Sequence, residues 1–308
     1  MVALAPSRWR TLEIAVQDPA GAHLALAAGA DRVELCCALS VGGLSPSIGL
    51  VAAVVDAVDA APGFVHVLVR PRQGGFVYDA GEVETTVRDI AALRGTGVGG
   101  VVVGALTPAG AVDRGAMERF VEAAGGLEVT FHRAIDVCPD PVAAVGVLAE
   151  MGATRVLTSG GALRSIDGVD TIAALAVRAA GRLQVMAGGG VGVADIGRLL
   201  AAGADSVHLS ARMAAPFAGP CGPGGGDDGH DATDAAVVAR AVAAIRRFTA
   251  ENPAHGDSAD GPLPCEMLHN RTAMGVISGP RGGIGAPGRY SGQDRAQRAG
   301  HASTAGPK

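Results

Sequence analysis

The phrase "AAGADRV" at Ala27–Val33 returns late in the chain as "AAGADSV" at Ala201–Val207, and in looser form as "TGVGGVV" from Thr96 and "MGATRVL" from Met151. Each copy closes a stretch of helical Ala/Leu/Val spacing on a glycine and then enters a short apolar run. A helix that stops on Gly and feeds a strand is half of a βαβ unit, so its recurrence points to a repeated β/α architecture.

Working outward from these four entries, strands are expected at "LEIAV" from Leu12, "RVELC" from Arg32, "VHVLVR" from Val65 and "VVVGAL" from Val101. Four more follow at "EVTFHR" from Glu128, "RVLTSG" from Arg155, "LQVMAG" from Leu183 and "SVHLSA" from Ser206. Between them lie helices such as Pro19–Gly29 and Pro141–Gly152, each opened by Pro and closed by Gly, and a last helix is expected over Asp234–Asn252. Alternation of this kind calls for a parallel sheet, and eight units match a closed (β/α)8 TIM barrel of class α/β. An open doubly wound sheet is the alternative, but no G-x-G-x-x-G follows the first strand.

The barrel is assigned to residues 11–253 as a single domain, behind a short lead at 1–10. Residues 254–308 are rich in Gly, Pro and polar residues without periodicity and are expected to form a disordered C-terminal tail. The segment Ala218–Asp234 reads as a solvated loop, whose Cys221, Asp227, Asp228 and His230 have nothing to fix them as metal ligands.

Composition removes several functions. With Lys+Arg 25 against Asp+Glu 30 the formal net charge is −5, which offers no field for nucleic acid or an anionic membrane. No stretch approaches the length of a membrane span or has the form of a signal peptide, so a cytoplasmic location is expected. The five cysteines form no C-x-x-C pair, which suits reduced thiols. Lys308 is the only lysine, leaving no residue in the body for Schiff-base chemistry.

Strand alternation then orients the side chains. If Leu12, Ile14 and Val16 meet the helices, Glu13 and Ala15 point into the barrel. The same parity turns Arg32, Glu34, Cys36, His66, Arg70, Thr130, His132, His208, Ser210 and Arg212 inward. An ordinary barrel core is layered with aliphatic residues, so this charged interior is either a self-neutralising structural network or a functional site. At the C-terminal mouth, Arg70 and Arg72 together with the loops Ser159–Gly161 and Gly188–Gly190, and Ser210 with Arg212, form a candidate anion site. Glu13, Glu34, His66, His132 and His208 are candidate acid/base residues, with His66 and His132 expected to titrate near neutrality, and Arg133 and Asp136 stand at the rim.

In order along Leu12–Arg212, "ADRVELC", "GGLSPSIG", "RPRQGGFVY", "GALTPAG", "VTFHRAID", "LTSGG" and "GGGV" followed by H-x-S-A-R resemble the CutC copper-homeostasis family. The resemblance implies a (β/α)8 barrel, a cytoplasmic homo-oligomer and Cu(I) bound by two cysteines, one on each of the first two strands. Only the second is present, as Cys36; the first position is Ala15. Cu(I) prefers soft thiolates, so a weakened or absent copper site is expected. Two functions follow. One is copper handling with Cys36 as metal ligand, assisted by His66 or His132. The other is an enzyme on a small phosphorylated or carboxylated metabolite, with Arg70, Arg72 and Arg212 as clamps and His132 with Glu13 or Glu34 as the acid/base pair.

Overall fold

The computed structural model describes residues 10–58, 61–216 and 229–253. Residues 1–9, 59–60, 217–228 and those after Pro253 lie outside the described residues, and with them the expected disorder of the tail.

Eight parallel strands close into a barrel in sequence order: β1 (Thr11–Val16), β2 (Arg32–Leu35), β3 (Val65–Leu68), β4 (Gly100–Val103), β5 (Glu128–Phe131), β6 (Arg155–Thr158), β7 (Gln184–Gly188) and β8 (Ser206–Leu209). The ring closes where Leu12 of β1 lies beside Val207 of β8. The helices α1 (Pro19–Ala28), α2 (Ile48–Ala57), α3 (Ala80–Leu93), α4 (Arg114–Ala124), α5 (Pro141–Glu150), α6 (Val169–Ala179) and α7 (Ile196–Ala201) each follow a strand. Six helix starts, counting α8 (Ala235–Glu251), have an Asp or Ser cap whose side chain accepts a backbone N–H: Asp18, Ser47, Asp79, Asp113, Asp140 and Asp234. Such caps satisfy amides that a helix start otherwise leaves open, each contributing about 1 kcal/mol.

The four repeated phrases all lie at the N-terminal end of the barrel, and three do a further job. Asp31 Oδ2 accepts from the amide of Leu12 (2.8 Å), Asp205 Oδ2 from Val185 (2.7 Å) and Thr154 Oγ1 from Val129 (3.3 Å). Each even strand is thereby tied to the odd strand before it. The fourth copy has Gly99 at this position, where a Cβ would lie 2.2 Å from the Gly63 carbonyl oxygen.

The expected parity holds in the strands. Leu12, Ile14, Val33, Leu35, Val101, Val103, Phe131 and Val207 are wholly buried in the main core, while Glu13, Glu34, His66, Thr130 and His132 are buried polar groups of the interior. One expectation needs correcting. Residues Gly229–Thr233 of the supposed loop form a strand, β10, antiparallel to β9 (Arg212–Pro216). Alternation is also interrupted before Arg212, because β8 ends at Leu209 and Ala211 adopts φ 41°, a left-handed conformation costly for a residue with a Cβ.

Candidate active site

The lower half of the interior, near the strand N-termini, is an ion network. Glu13 is fully buried and paired with Arg32. Burial alone would raise its carboxyl, but the Arg32 charge and a hydrogen bond from His208 outweigh this and hold it well below the usual range. Arg155, 2% exposed, donates to Glu128 Oε2 (2.9 Å), Thr130 Oγ1 (3.0 Å) and Gln184 Oε1 (2.8 Å). His66 lies between these pairs, its Nε2 3.8 Å from Glu128 Oε2. Burial, reinforced by the Arg32 charge, lowers its pKa and keeps it neutral. Gly100 makes room for that ring: a Cβ there would sit 2.5 Å from His66 Cε1.

Above this network a cavity of about 280 Å³ opens between the strand C-termini. Its wall includes Glu34, Arg70, His132, Arg133, His208, Ser210 and Arg212, with Leu39, Leu68, Phe76 and Leu157 among the apolar surfaces. His208 joins the two layers. Its Nδ1 donates to Glu13 Oε1 (2.8 Å) and lies 3.6 Å from Glu34 Oε2. Burial disfavours the imidazolium, yet the bond to Glu13 and the Glu34 charge prevail and raise its pKa. Glu34 goes the other way for a carboxylate: burial pushes it up to about 7, opposed by His208 and reinforced by Glu13, and its Oε2 accepts no hydrogen bond from the described residues. A carboxyl poised near neutral pH is suited to both taking and returning a proton.

His132 does not titrate near neutrality as expected. Burial, aided by the Arg70 charge, lowers its pKa to about 3. The Ala134 amide donates to Nδ1 (3.2 Å), which places the single proton of the neutral ring on Nε2. That Nε2 has no acceptor among the described residues. His132 is therefore a neutral hydrogen-bond donor, and the same correction applies to His66, which is neutral and does not line the cavity. Gly104 leaves the space the His132 ring fills, since a Cβ there would lie 2.4 Å from Cε1. Phe76 packs against the ring at 4.8 Å and also carries the Arg70 guanidinium at 5.3 Å. Arg70 is 7% exposed and donates to the carbonyl oxygens of Val41 (3.4 Å), Gly43 (3.1 Å) and Gly74 (2.8 Å), with Tyr78 also beside it. Its Nε has no partner, and no carboxylate among the described residues neutralises it.

The expected anion residues separate into two groups. Gly189, Gly190, Ser210 and Arg212 line the cavity, and Gly188 sits just below, where a Cβ would collide with Leu157 Cδ1 at 2.4 Å. Arg212 also pairs with Asp231 of β10 (2.9 Å). The others face elsewhere. Arg72 pairs with Glu82 and stacks over Tyr78. Asp136 accepts from Thr158 Oγ1 (2.5 Å), the Ser159 amide (3.0 Å), the Gly161 amide (3.2 Å) and Arg133 Nε (2.8 Å), so it braces the loop after β6 and uses the amides once assigned to an anion. The Gly160 amide is taken by Thr158 Oγ1.

Arg155, Glu128 and Phe76 were missing from the expected site, while Arg133, expected at the rim, lines the cavity and pairs with Asp136. Arg155 was within reach of sequence reasoning, because the repeat aligns it with Arg32, which parity had already turned inward. Phe76 was not, since its place depends on how the loop after β3 folds back over the mouth.

The donors present do not fit a Cu(I) dithiolate. Cys36 packs behind Leu68 with Val102, without itself lining the cavity, and its thiol donates to the Val16 carbonyl at 3.8 Å. Burial, with the Glu34 charge adding, raises its pKa, so it remains a thiol. Cys37 and Cys138 point their sulfurs at the carbonyls of Ser45 (3.1 Å) and Ala134 (3.7 Å). Among the described residues the one metal-capable cluster is Glu13, Glu34 and His208, with ligand atoms within 4.8 Å. Arg32 and the protonated His208 already occupy its charge.

Residues 10–213 match the CutC family. The CutC family protein of Caulobacter vibrioides is 47% identical over 189 residues, covering 61% of this chain and 76% of that protein. Its counterpart in Xanthomonas campestris is 46% identical over 202 residues, 65% of this chain and 83% of the relative. The crystal structure of CutC from Streptococcus agalactiae, a protein named for copper homeostasis, superposes with a TM-score of 0.61 at 30% identity, covering 65% of this chain and 98% of that one. No helix among the described residues is long and apolar enough to cross a membrane. With a closed eightfold barrel, the ordered motifs and a match that spans all eight barrel strands, the chain belongs to the CutC family.

Proposed function

We propose that the barrel mouth is the active site of an enzyme that moves a proton at a carbon next to a carbonyl in a small organic anion. The observation that carries this is the set of open polar atoms around one cavity: Glu34 Oε2, His132 Nε2 and Arg70 Nε are all buried and make no hydrogen bond among the described residues, Glu34 Oε2 having only the His208 charge at 3.6 Å. Leaving such atoms unsatisfied costs about 1 to 3 kcal/mol each, which a ligand would recover. Ionised Glu34 takes the proton. The electron pair moves onto the carbonyl oxygen, where the Nε2–H of neutral His132 donates to the developing enolate and cannot itself be deprotonated at ordinary pH. Protonated His208, held by Glu13, fixes the Glu34 carboxylate, and the arginines hold the anionic group.

The test is exchange of substrate hydrogen for solvent deuterium, followed by NMR across a panel of phosphorylated and carboxylated carbonyl compounds. At least one should exchange, with a rate that rises through about pH 7 as Glu34 ionises and falls by roughly 100-fold or more in Glu34→Gln. Exchange that is absent across the panel, or insensitive to this substitution, overturns the proposal. Copper handling draws its support from the names of relatives. With one buried thiol in place of a pair, an anaerobic Cu(I) titration is expected to give weak binding that Cys36→Ala leaves unchanged; tight binding lost in that variant would restore copper as the ligand.

A further inference from the structure

The unused donors around the cavity fall on two opposite walls. On one, the main-chain N–H groups of Gly189, Gly190 and Val191 after β7, and of Ser210 after β8, make no hydrogen bond to another described residue. Arg212 stands beside them, and Gly189 has φ 113° and Gly190 φ 61°, left-handed conformations natural to glycine that turn the loop at the cavity edge. Several amides with an arginine suit the many oxygens of a phosphate better than the two of a carboxylate. On the other wall, after β3, stands Arg70 alone, 93% buried by its 7% exposure, without a counter-ion and with Nε unpartnered. In a closed ring of eight strands, β3 and β7 are four places apart and face each other across the axis. Glu34 and His208 lie on β2 and β8, and His132 just beyond β5, so the proton-transfer groups line the space between the two walls.

We infer that the substrate is anionic at both ends: a phosphate ester held by the β7–β8 loops and a carboxylate held by Arg70, with the reacting carbon between them over Glu34. This rests on the proton-transfer function proposed above and specifies its substrate class. A cavity of about 280 Å³ confines that substrate to a short chain. Two weak anchors joined by a linker of the right length bind far more tightly than either alone, because the second contact becomes intramolecular.

The experiment is calorimetric titration of the full chain with inorganic phosphate, with acetate, and with phosphonooxy-acetate, -propanoate and -butanoate, which vary the distance between the two charges. The best of the three should bind roughly 100-fold more tightly than phosphate. Arg70→Gln should erase that gain and leave phosphate affinity unchanged, which also shows that the variant is folded; Arg212→Gln should weaken phosphate and the diacids alike. If phosphate binds in an Arg212-dependent way but no diacid gains, or the gain survives Arg70→Gln, the two-ended substrate is overturned while the proton-transfer site stands. If phosphate affinity itself falls with Arg70→Gln, both groups share one pole and the inference also fails. If none of these anions binds, the small-anion function falls with it.

Discussion

In the lower half of the barrel Arg155 is buried against Glu128, Thr130 and Gln184, whereas in the upper half Arg70 is buried against three carbonyl oxygens and no carboxylate. The two halves draw on the same residue types. Below, each charge has its partner, and the atoms left open, His66 Nδ1 and Ser206 Oγ, belong to neutral groups. Above, the open atoms belong to a cation, to a carboxyl near its midpoint and to a neutral imidazole donor. A satisfied network holds strands together; an unsatisfied one keeps free energy available for a ligand. Under the proposed function, the choice between structural network and functional site divides by height along the barrel.

The largest test of that division is removal of one charge from each half. Glu13→Gln should destabilise the protein by roughly 3 to 5 kcal/mol in denaturant titrations, because Arg32 loses its buried partner and His208 its acceptor. Arg70→Gln removes a buried cation that has no counter-ion, and should change stability by less than about 1 kcal/mol or raise it. A comparable loss in both would erase the distinction.

Glu34 sharpens the comparison through pH. Its folded pKa of about 7 lies above the ordinary carboxylate value of 4.5, so the folded state binds more protons between these limits and stability falls as pH rises through the window. Glu34→Gln should therefore be stabilising by on the order of 2 to 3 kcal/mol at pH 8, with the gain vanishing near pH 4. Stabilisation together with loss of deuterium exchange would mark a functional group held at the expense of folding.

The smallest expected effect comes from the neutral histidines. His66 and His132 have folded pKa values below the free value of 6.5, so the unfolded chain takes up protons first and stability falls as pH drops below 6.5. The His132 ring, with a folded value of about 3, should contribute a slope that grows from about 0.7 kcal/mol per pH unit at pH 6.5 toward about 1.4 near pH 5, and His132→Gln should remove it. An unchanged slope would mean that His132 is protonated in the fold.

Much of this site was readable from strand parity. In β1, β2 and β3 an alternating strand with one aliphatic face leaves Glu13, Glu34 and His66 no other direction, and the same alternation carried one residue past β5 turns His132 inward. Parity ended with the strands. Beyond them, Arg72 turned to Glu82, Asp136 to the β6 loop and Arg212 to Asp231, each choice set by a partner far away or on a loop. The repeats, Gly-closed helices and alternating faces by themselves determined an eightfold barrel with a charged interior, because these are local rules of backbone and burial. Which of those charges remain open was decided by the tertiary structure alone, because pairing and desolvation depend on how the strands close the ring and bring Arg32 beside Glu13 while no carboxylate comes beside Arg70.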